Sequence, residues 1–94
     1  MNTPSKHELE FIEFNSSNPH VYQLFVNLAR QWVMKTGRKK LGIAMLYERA
    51  RWEHYMTTTD LKFKLSNNHK AFYSRLIMEQ ESDLAGVFNI RSQA

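Results

Sequence analysis

The sequence predicts a mainly α domain with a small two-stranded β element, four helices and two short strands in an α+β arrangement. Three observations carry this expectation. Apolar residues recur at threes and fours from Val21 to Trp32, a spacing that only a helix gathers on one face. Thr3-Pro4 and Asn18-Pro19 each set a capping side chain before a proline, the residue tolerated at the first helical position because its missing N–H would have no partner there. Leu61, Phe63 and Leu65 alternate with Lys62 and Lys64, and Leu84, Gly86, Phe88 and Ile90 alternate with Ala85, Val87, Asn89 and Arg91. Period two is the signature of a strand with one face buried.

The first helix is expected over residues 4–16, with Leu9, Ile12 and either Phe11 or Phe14 seeking cover while Glu8, Glu10 and Glu13 face water. The second, over 19–35, turns Val21, Leu24, Phe25, Leu28, Ala29 and Trp32 inward and ends before Gly37, which supplies a left-handed stop. A tight connection from Thr36 to Lys40 leads to a third helix over 42–56, with Ile43, Leu46, Tyr47, Ala50 and His54 on its inner face. The Thr57-Thr58-Thr59-Asp60 turn precedes the strand 61–65. Ser66-Asn67-Asn68 then caps a fourth helix over 69–80, striped by Phe72, Tyr73, Leu76, Ile77 and Gln80, and Asp83 closes the turn into the strand 84–91. A two-stranded ribbon is marginal alone, so it must lie against the helices. No repeat or linker divides the chain, and residues 1–94 read as one domain.

Composition narrows the function. Ninety-four residues make one small domain, and 43% apolar with 23% charged residues is the balance of a folded chain. Cysteine is absent, which excludes disulfides, zinc–thiolate sites and a thiol nucleophile. With no apolar run of membrane-span length and no signal-peptide pattern, a cytoplasmic location without membrane contact is expected. Thirteen Lys and Arg against nine Asp and Glu give +4, so the expected partner is negatively charged. The excess sits in residues 20–56, seven basic against two acidic, with Arg38, Lys39 and Lys40 consecutive.

Enzyme signatures are missing. The chain has no phosphate-loop pattern, no G-x-S-x-G elbow and no H-E-x-x-H, and His7, His20, His54 and His69 never stand three to five apart. Asp60-Leu61-Lys62 matches the acidic-x-Lys end of a nuclease motif, and Asn67-Asn68-His69 is similar to the tail of an H-N-H signature. A nuclease needs a further metal-holding carboxylate or histidine, and none precedes Asp60 at a recognisable distance. No catalytic residue, cofactor or metal is therefore expected.

A binding constellation remains. Arg38, Lys39 and Lys40 enter a helix N-terminus, where backbone N–H groups attract phosphate, and Arg49 and Arg51 continue the same segment. The non-core face of helix 69–80 offers Lys70, Ser74 and Arg75, with Asn68 and His69 at its start. These side chains suit base edges and phosphates, while the plainer reading is a solvated face. Lys62 and Lys64 serve either as edge protection or as phosphate contacts. Phe25, Trp32, Phe63, Phe72 and Phe88 read as core, whereas Trp52 and Tyr55 fall off the inner stripe and either cover the first helix or mark a partner surface.

Six blocks carry a resemblance: F-x-x-F at Phe11 to Phe14, N-P-H-V-Y at Asn18 to Tyr22, E-R-A-R-W-E at Glu48 to Glu53, F-K-L-S-N-N at Phe63 to Asn68, Y-S-R-L at Tyr73 to Leu76 and V-F-N-I-R at Val87 to Arg91. In their order and spacing the chain resembles a set of small, mostly uncharacterised proteins borne by bacteriophages and prophages. The resemblance implies a helix-turn-helix-like or winged-helix-like fold and, by analogy of fold, DNA binding. In one respect the chain departs from the winged-helix scheme, because residues 57–66 intervene before the helix 69–80.

The expectation is a non-enzymatic basic module that holds duplex DNA mainly through phosphates, with Arg38, Lys39, Lys40, Arg49 and Arg51 on the backbone and Asn68, His69, Lys70, Ser74 and Arg75 at the groove. The alternative is a phage inhibitor or adaptor of anti-CRISPR or anti-restriction type that binds a host or defence protein. A small metal-dependent nuclease built on Asp60, Lys62 and His69 is the remote third.

Overall fold

The boundaries of the helices follow from local chemistry. In the computed structural model, which describes residues 3–58 and 64–89, α1 spans Lys6–Ser17, α2 Pro19–Thr36, α3 Ile43–Thr57 and α4 Lys70–Gln80. Single 3-10 turns at Asn67–His69 and Ser82–Leu84 flank α4. Ser5, rather than the Thr3 that the sequence suggests, caps α1, its hydroxyl accepting from the Glu8 N–H at 3.1 Å. The Asn18 side chain serves α1 rather than α2: its amide donates to the Phe14 carbonyl at 3.0 Å, while at the N-cap of α2 Asn18 makes no side-chain bond and Pro19 begins the helix. Gly37 ends α2 at φ +68°, donating its N–H to the Val33 carbonyl, a conformation that costs a side-chain-bearing residue strain.

Each helix sends one aromatic ring to a common centre. Phe25 of α2 lies 5.1 Å from Tyr47 of α3 and 4.7 Å from Tyr73 of α4, and Phe11 of α1 meets Tyr73 edge-on at 4.8 Å. Phe25, Tyr47 and Tyr73 are wholly buried and Phe11 nearly so. Around them pack Val21, Val26, Ala29, Leu46, Ala50 and Ile77. Rings of this size remove the most apolar area from water per residue, and edge-on or offset pairs add a further ~0.5–1.5 kcal/mol each. Of the apolar residues expected to seek cover in α1, Phe11 is buried and Phe14 partly so, while Leu9 and Ile12 remain exposed.

The β element is not formed: every regular element among the described residues is helical, and none is a strand. Of the stretch 61–65, residues 61–63 lie outside the described part, which leaves Lys64 exposed and Leu65 buried in irregular chain. Over 84–89 the expected alternation breaks. Leu84 closes a 3-10 turn, Gly86 adopts φ +79°, and Leu84, Val87 and Phe88 are buried while Gly86 is exposed. A positive φ turns the backbone out of the extended region and resets which side faces inward. The segment serves as a lid on the α2–α3 connection: the Leu41 N–H donates to the Val87 carbonyl at 2.9 Å, and the Lys40 ammonium to the Gly86 carbonyl at 2.6 Å.

The two buried tyrosines differ in one respect. The Tyr47 hydroxyl donates to the Ser66 carbonyl at 2.6 Å, whereas the Tyr73 hydroxyl has no partner among the described residues. Burial pushes the Tyr47 hydroxyl up to about 12 despite the nearby Arg51, so it stays a donor at any physiological pH. A made buried hydrogen bond contributes about 0.5–1.5 kcal/mol, whereas an unmade one costs the fold the desolvation of its group. Urea titration should therefore show Tyr47→Phe losing about 1 kcal/mol, with Tyr73→Phe neutral or up to ~1 kcal/mol more stable; equal losses in both variants would contradict the assignment.

Candidate functional site

Helix geometry separates the cations grouped by the sequence. Arg49 and Arg51 are two positions apart on α3, so they point to different sides. Arg49 faces α2, where it lines a groove with Lys35, and it pairs with Glu53 one turn on at 2.8 Å. Arg51 faces α4: it pairs with Glu48, donates to the Leu65 carbonyl at 2.8 Å and to the Asn67 side-chain oxygen at 2.5 Å, and lies over the Tyr47 ring. It thus ties α3 to the chain that leads into α4. The Lys70 ammonium also lies over the Tyr47 ring, at 5.6 Å, and the Arg75 guanidinium over Phe72 at 5.3 Å.

The remaining predicted groove residues divide between surface and interior. Asn68 is exposed, with its N–H donating to the Ser66 hydroxyl. His69 and Ser74 are buried. The Ser74 hydroxyl donates to the Ala71 carbonyl at 2.8 Å, and the His69 ring packs 5.7 Å from Phe11 and 5.2 Å from Phe14. Neither side chain faces solvent, so the surface of α4 retains Lys70 and Arg75. Asp60 and Lys62 lie outside the described residues. Among the described residues no three His, Asp or Glu side chains gather as a metal would require, and no helix is long and apolar enough to cross a membrane.

Carboxylates absorb much of the positive charge. Arg30 of α2 forms a fork on Asp83, at 2.9 and 3.0 Å, and reaches Glu81 at 2.7 Å; the Tyr22 hydroxyl donates to the other Glu81 oxygen at 2.8 Å. The hydrogen bonds from Arg30 hold the Asp83 carboxyl below the usual carboxylate range. Glu48 and Glu53 are also paired, and Lys40 is committed to the Gly86 carbonyl. Among the described residues the side chains of Lys35, Arg38 and Lys39, at the end of α2 and in the connection, make no hydrogen bond and no ion pair.

Beside these cations runs a groove of about 410 Å³ between α2 and α3, lined by Leu28, Trp32, Leu41, Met45 and Leu46 with Lys35 and Arg49 at its rim. The Trp32 indole N–H donates to the Lys40 carbonyl at 3.0 Å, which fixes the ring in the lining. Met45 leads out of the groove onto the face of α3 opposite the core. Met45, Trp52 and Met56 are spaced by seven and four, hence nearly collinear on a helix, and they are 48, 61 and 69% exposed. Tyr55 flanks them at 57%. An α-helix with apolar residues on both sides ordinarily has both sides covered; among the described residues α3 has one.

Sequence reasoning noted Trp52 and Tyr55 as lying off the inner stripe but overlooked Met45, Met56 and Lys35. The 45–52–56 spacing was the available signal, a second apolar stripe in antiphase with Leu46, Tyr47 and Ala50. Comparison of the chain with family models, with curated proteins and with solved structures finds no match.

His69 gives the fold a pH dependence of definite sign. Burial against Phe11 and Phe14 lowers its pKa from the ordinary 6.5, with Glu10 opposing and His7 reinforcing the shift, and its Nδ1 has no partner among the described residues. The unfolded chain therefore binds the proton first, so the stabilisation is complete above pH 6.5 and is lost as pH falls through that value toward the folded pKa. Unfolding free energies measured by urea between pH 7.5 and pH 5 should decline on acidification, and His69→Phe should flatten that decline; an unchanged slope would remove the assignment.

Proposed function

We propose that this chain is a small helical protein-binding module, an inhibitor or adaptor without catalysis of its own, whose working surface is the outer face of α3 and the adjoining α2–α3 groove. The observation that carries this reading is the Met45–Trp52–Met56 stripe, exposed on the side of α3 opposite the buried Leu46, Tyr47 and Ala50. Tryptophan, tyrosine, methionine and arginine are the residues enriched in protein interfaces, and all four types occur on this face and its rim. An exposed apolar row of this kind costs solubility unless a partner covers it. The likeness of the sequence blocks to phage-borne proteins makes a host or defence protein the class of partner to test first.

Duplex DNA is the second reading, and it rests on a specific feature. Lys35, Arg38 and Lys39 are uncommitted among the described residues and stand beside the start of α3, where Gly42 has no side chain to cap the helix. Phosphate suits such a place. The protein reading ranks first because the cations further along α3 and α4 are divided between two sides or engaged, and because phosphate contacts give the Met45–Trp52–Met56 stripe no role.

The two readings separate in one experiment. Immobilised protein is exposed to nuclease-treated lysate as the wild type, as Trp52→Glu/Met56→Glu and as Arg38→Glu/Lys39→Glu, and each is titrated in parallel with labelled random duplex at two salt concentrations. A retained protein that the Trp52/Met56 variant loses is the expected result, and that variant should keep its stability within about 0.5 kcal/mol because both sites are exposed. Absence of such a protein, with steeply salt-dependent duplex binding that survives in the Trp52/Met56 variant, would reverse the ranking.

A further inference from the structure

We infer that the α2–α3 groove takes an amphipathic helix of the partner whose apolar stripe is flanked by acidic residues. This rests on the protein-binding reading above and names the chemistry of the occupant.

The walls of the groove select a helix. Both are helices, whose backbone groups bond within α2 and α3, and between them lie Leu28, Leu41 and Leu46. An extended segment laid there would leave its own N–H and C=O groups unbonded against hydrocarbon, which is costly. A helix satisfies those groups internally and presents only side chains, which pack as ridges into the groove between two neighbours. Trp32 and Met45, both in the lining, offer one rigid and one adaptable surface for the anchors.

The rim selects the charge. No carboxylate lines the groove, whereas Lys35 and Arg49 do. Arg38 and Lys39 extend the positive edge beyond Lys35, and neither side chain has a partner among the described residues. Acidic residues beside the apolar stripe of an incoming helix would meet Lys35, Arg38 and Lys39, unpaired among the described residues, and Arg49, which Glu53 already engages, whereas basic ones would meet like charge. A second copy of this chain fits less well. Each copy carries +4, and its acidic helix α1 exposes only Leu9 and Ile12 as large apolar anchors.

The test uses the full ¹⁵N-labelled chain and three probes: a synthetic helical peptide of about sixteen residues with leucines at i, i+4, i+7 and i+11 flanked by glutamates, its counterpart with lysines in place of the glutamates, and a short random duplex. The expected result is amide shifts centred on Leu28, Lys35, Met45 and Arg49 with the glutamate peptide. Its affinity should exceed that of the lysine peptide by at least roughly tenfold and should fall toward that peptide's level in Lys35→Glu/Arg49→Glu. Equal affinity for both peptides, no binding of either, tighter duplex binding at the same amides, or sedimentation showing the groove closed by self-association would each overturn the inference. Lysate capture that depends on Trp52 and Met56 but shows no preference for the acidic peptide would leave the protein-binding reading standing. Peptide selectivity without lysate capture would do the reverse.

Discussion

Four rings meeting at one point, Phe11, Phe25, Tyr47 and Tyr73, hold the helices in their mutual positions, because each helix contributes one and none can leave water without the others. Mutual burial of this kind is cooperative: the ring of Tyr73 is covered by Phe11 from one helix and Phe25 from another. The constraint reaches the surface. Once α3 commits Tyr47, Leu46 and Ala50 inward, its 3.6-residue period obliges Met45, Trp52 and Met56 to face out. The exposed stripe is thus a consequence of the same rotation that seals the core.

Charge is apportioned by similar logic. Two arginines hold elements together: Arg30 joins α2 to Glu81 and Asp83 after α4, and Arg51 joins α3 to the Leu65 carbonyl and the Asn67 side chain before α4. Such exposed or half-exposed pairs contribute little individually, but they determine which cations remain available. Three of the cations left over, Lys35, Arg38 and Lys39, fall close together at the end of α2 and in the connection, and none of them pairs with a carboxylate among the described residues. A chain whose total is +4 therefore presents a local positive rim beside an apolar groove rather than one continuous basic face.

The failure of the β expectation is instructive because the alternation is real in the sequence and misleading in space. Leu84, Gly86 and Phe88 share parity on paper, but a 3-10 turn before Gly86 and a positive φ at it break the parity. Val87 goes inward, Gly86 outward, and the segment bonds the α2–α3 connection through single contacts instead of a ladder. Short apolar runs rich in glycine leave this choice to tertiary context.

From the residues alone, four helices could be read, together with the inward stripe of α2, the stop at Gly37 and the concentration of positive charge in the middle of the chain. Periodicity, chain stiffness and charge are local properties, and a local rule suffices to read them. Three matters needed the fold. The first is that His69 and Ser74 are interior, since which face of a helix is covered depends on what packs against it. The second is what Arg51 holds, since the Leu65 carbonyl and the Asn67 side chain that it reaches lie beyond its own helix. The third is that Met45, Trp52 and Met56 have no cover among the described residues: an apolar side chain has the same chemistry in a core as on a docking surface, and only the positions of its neighbours distinguish the two.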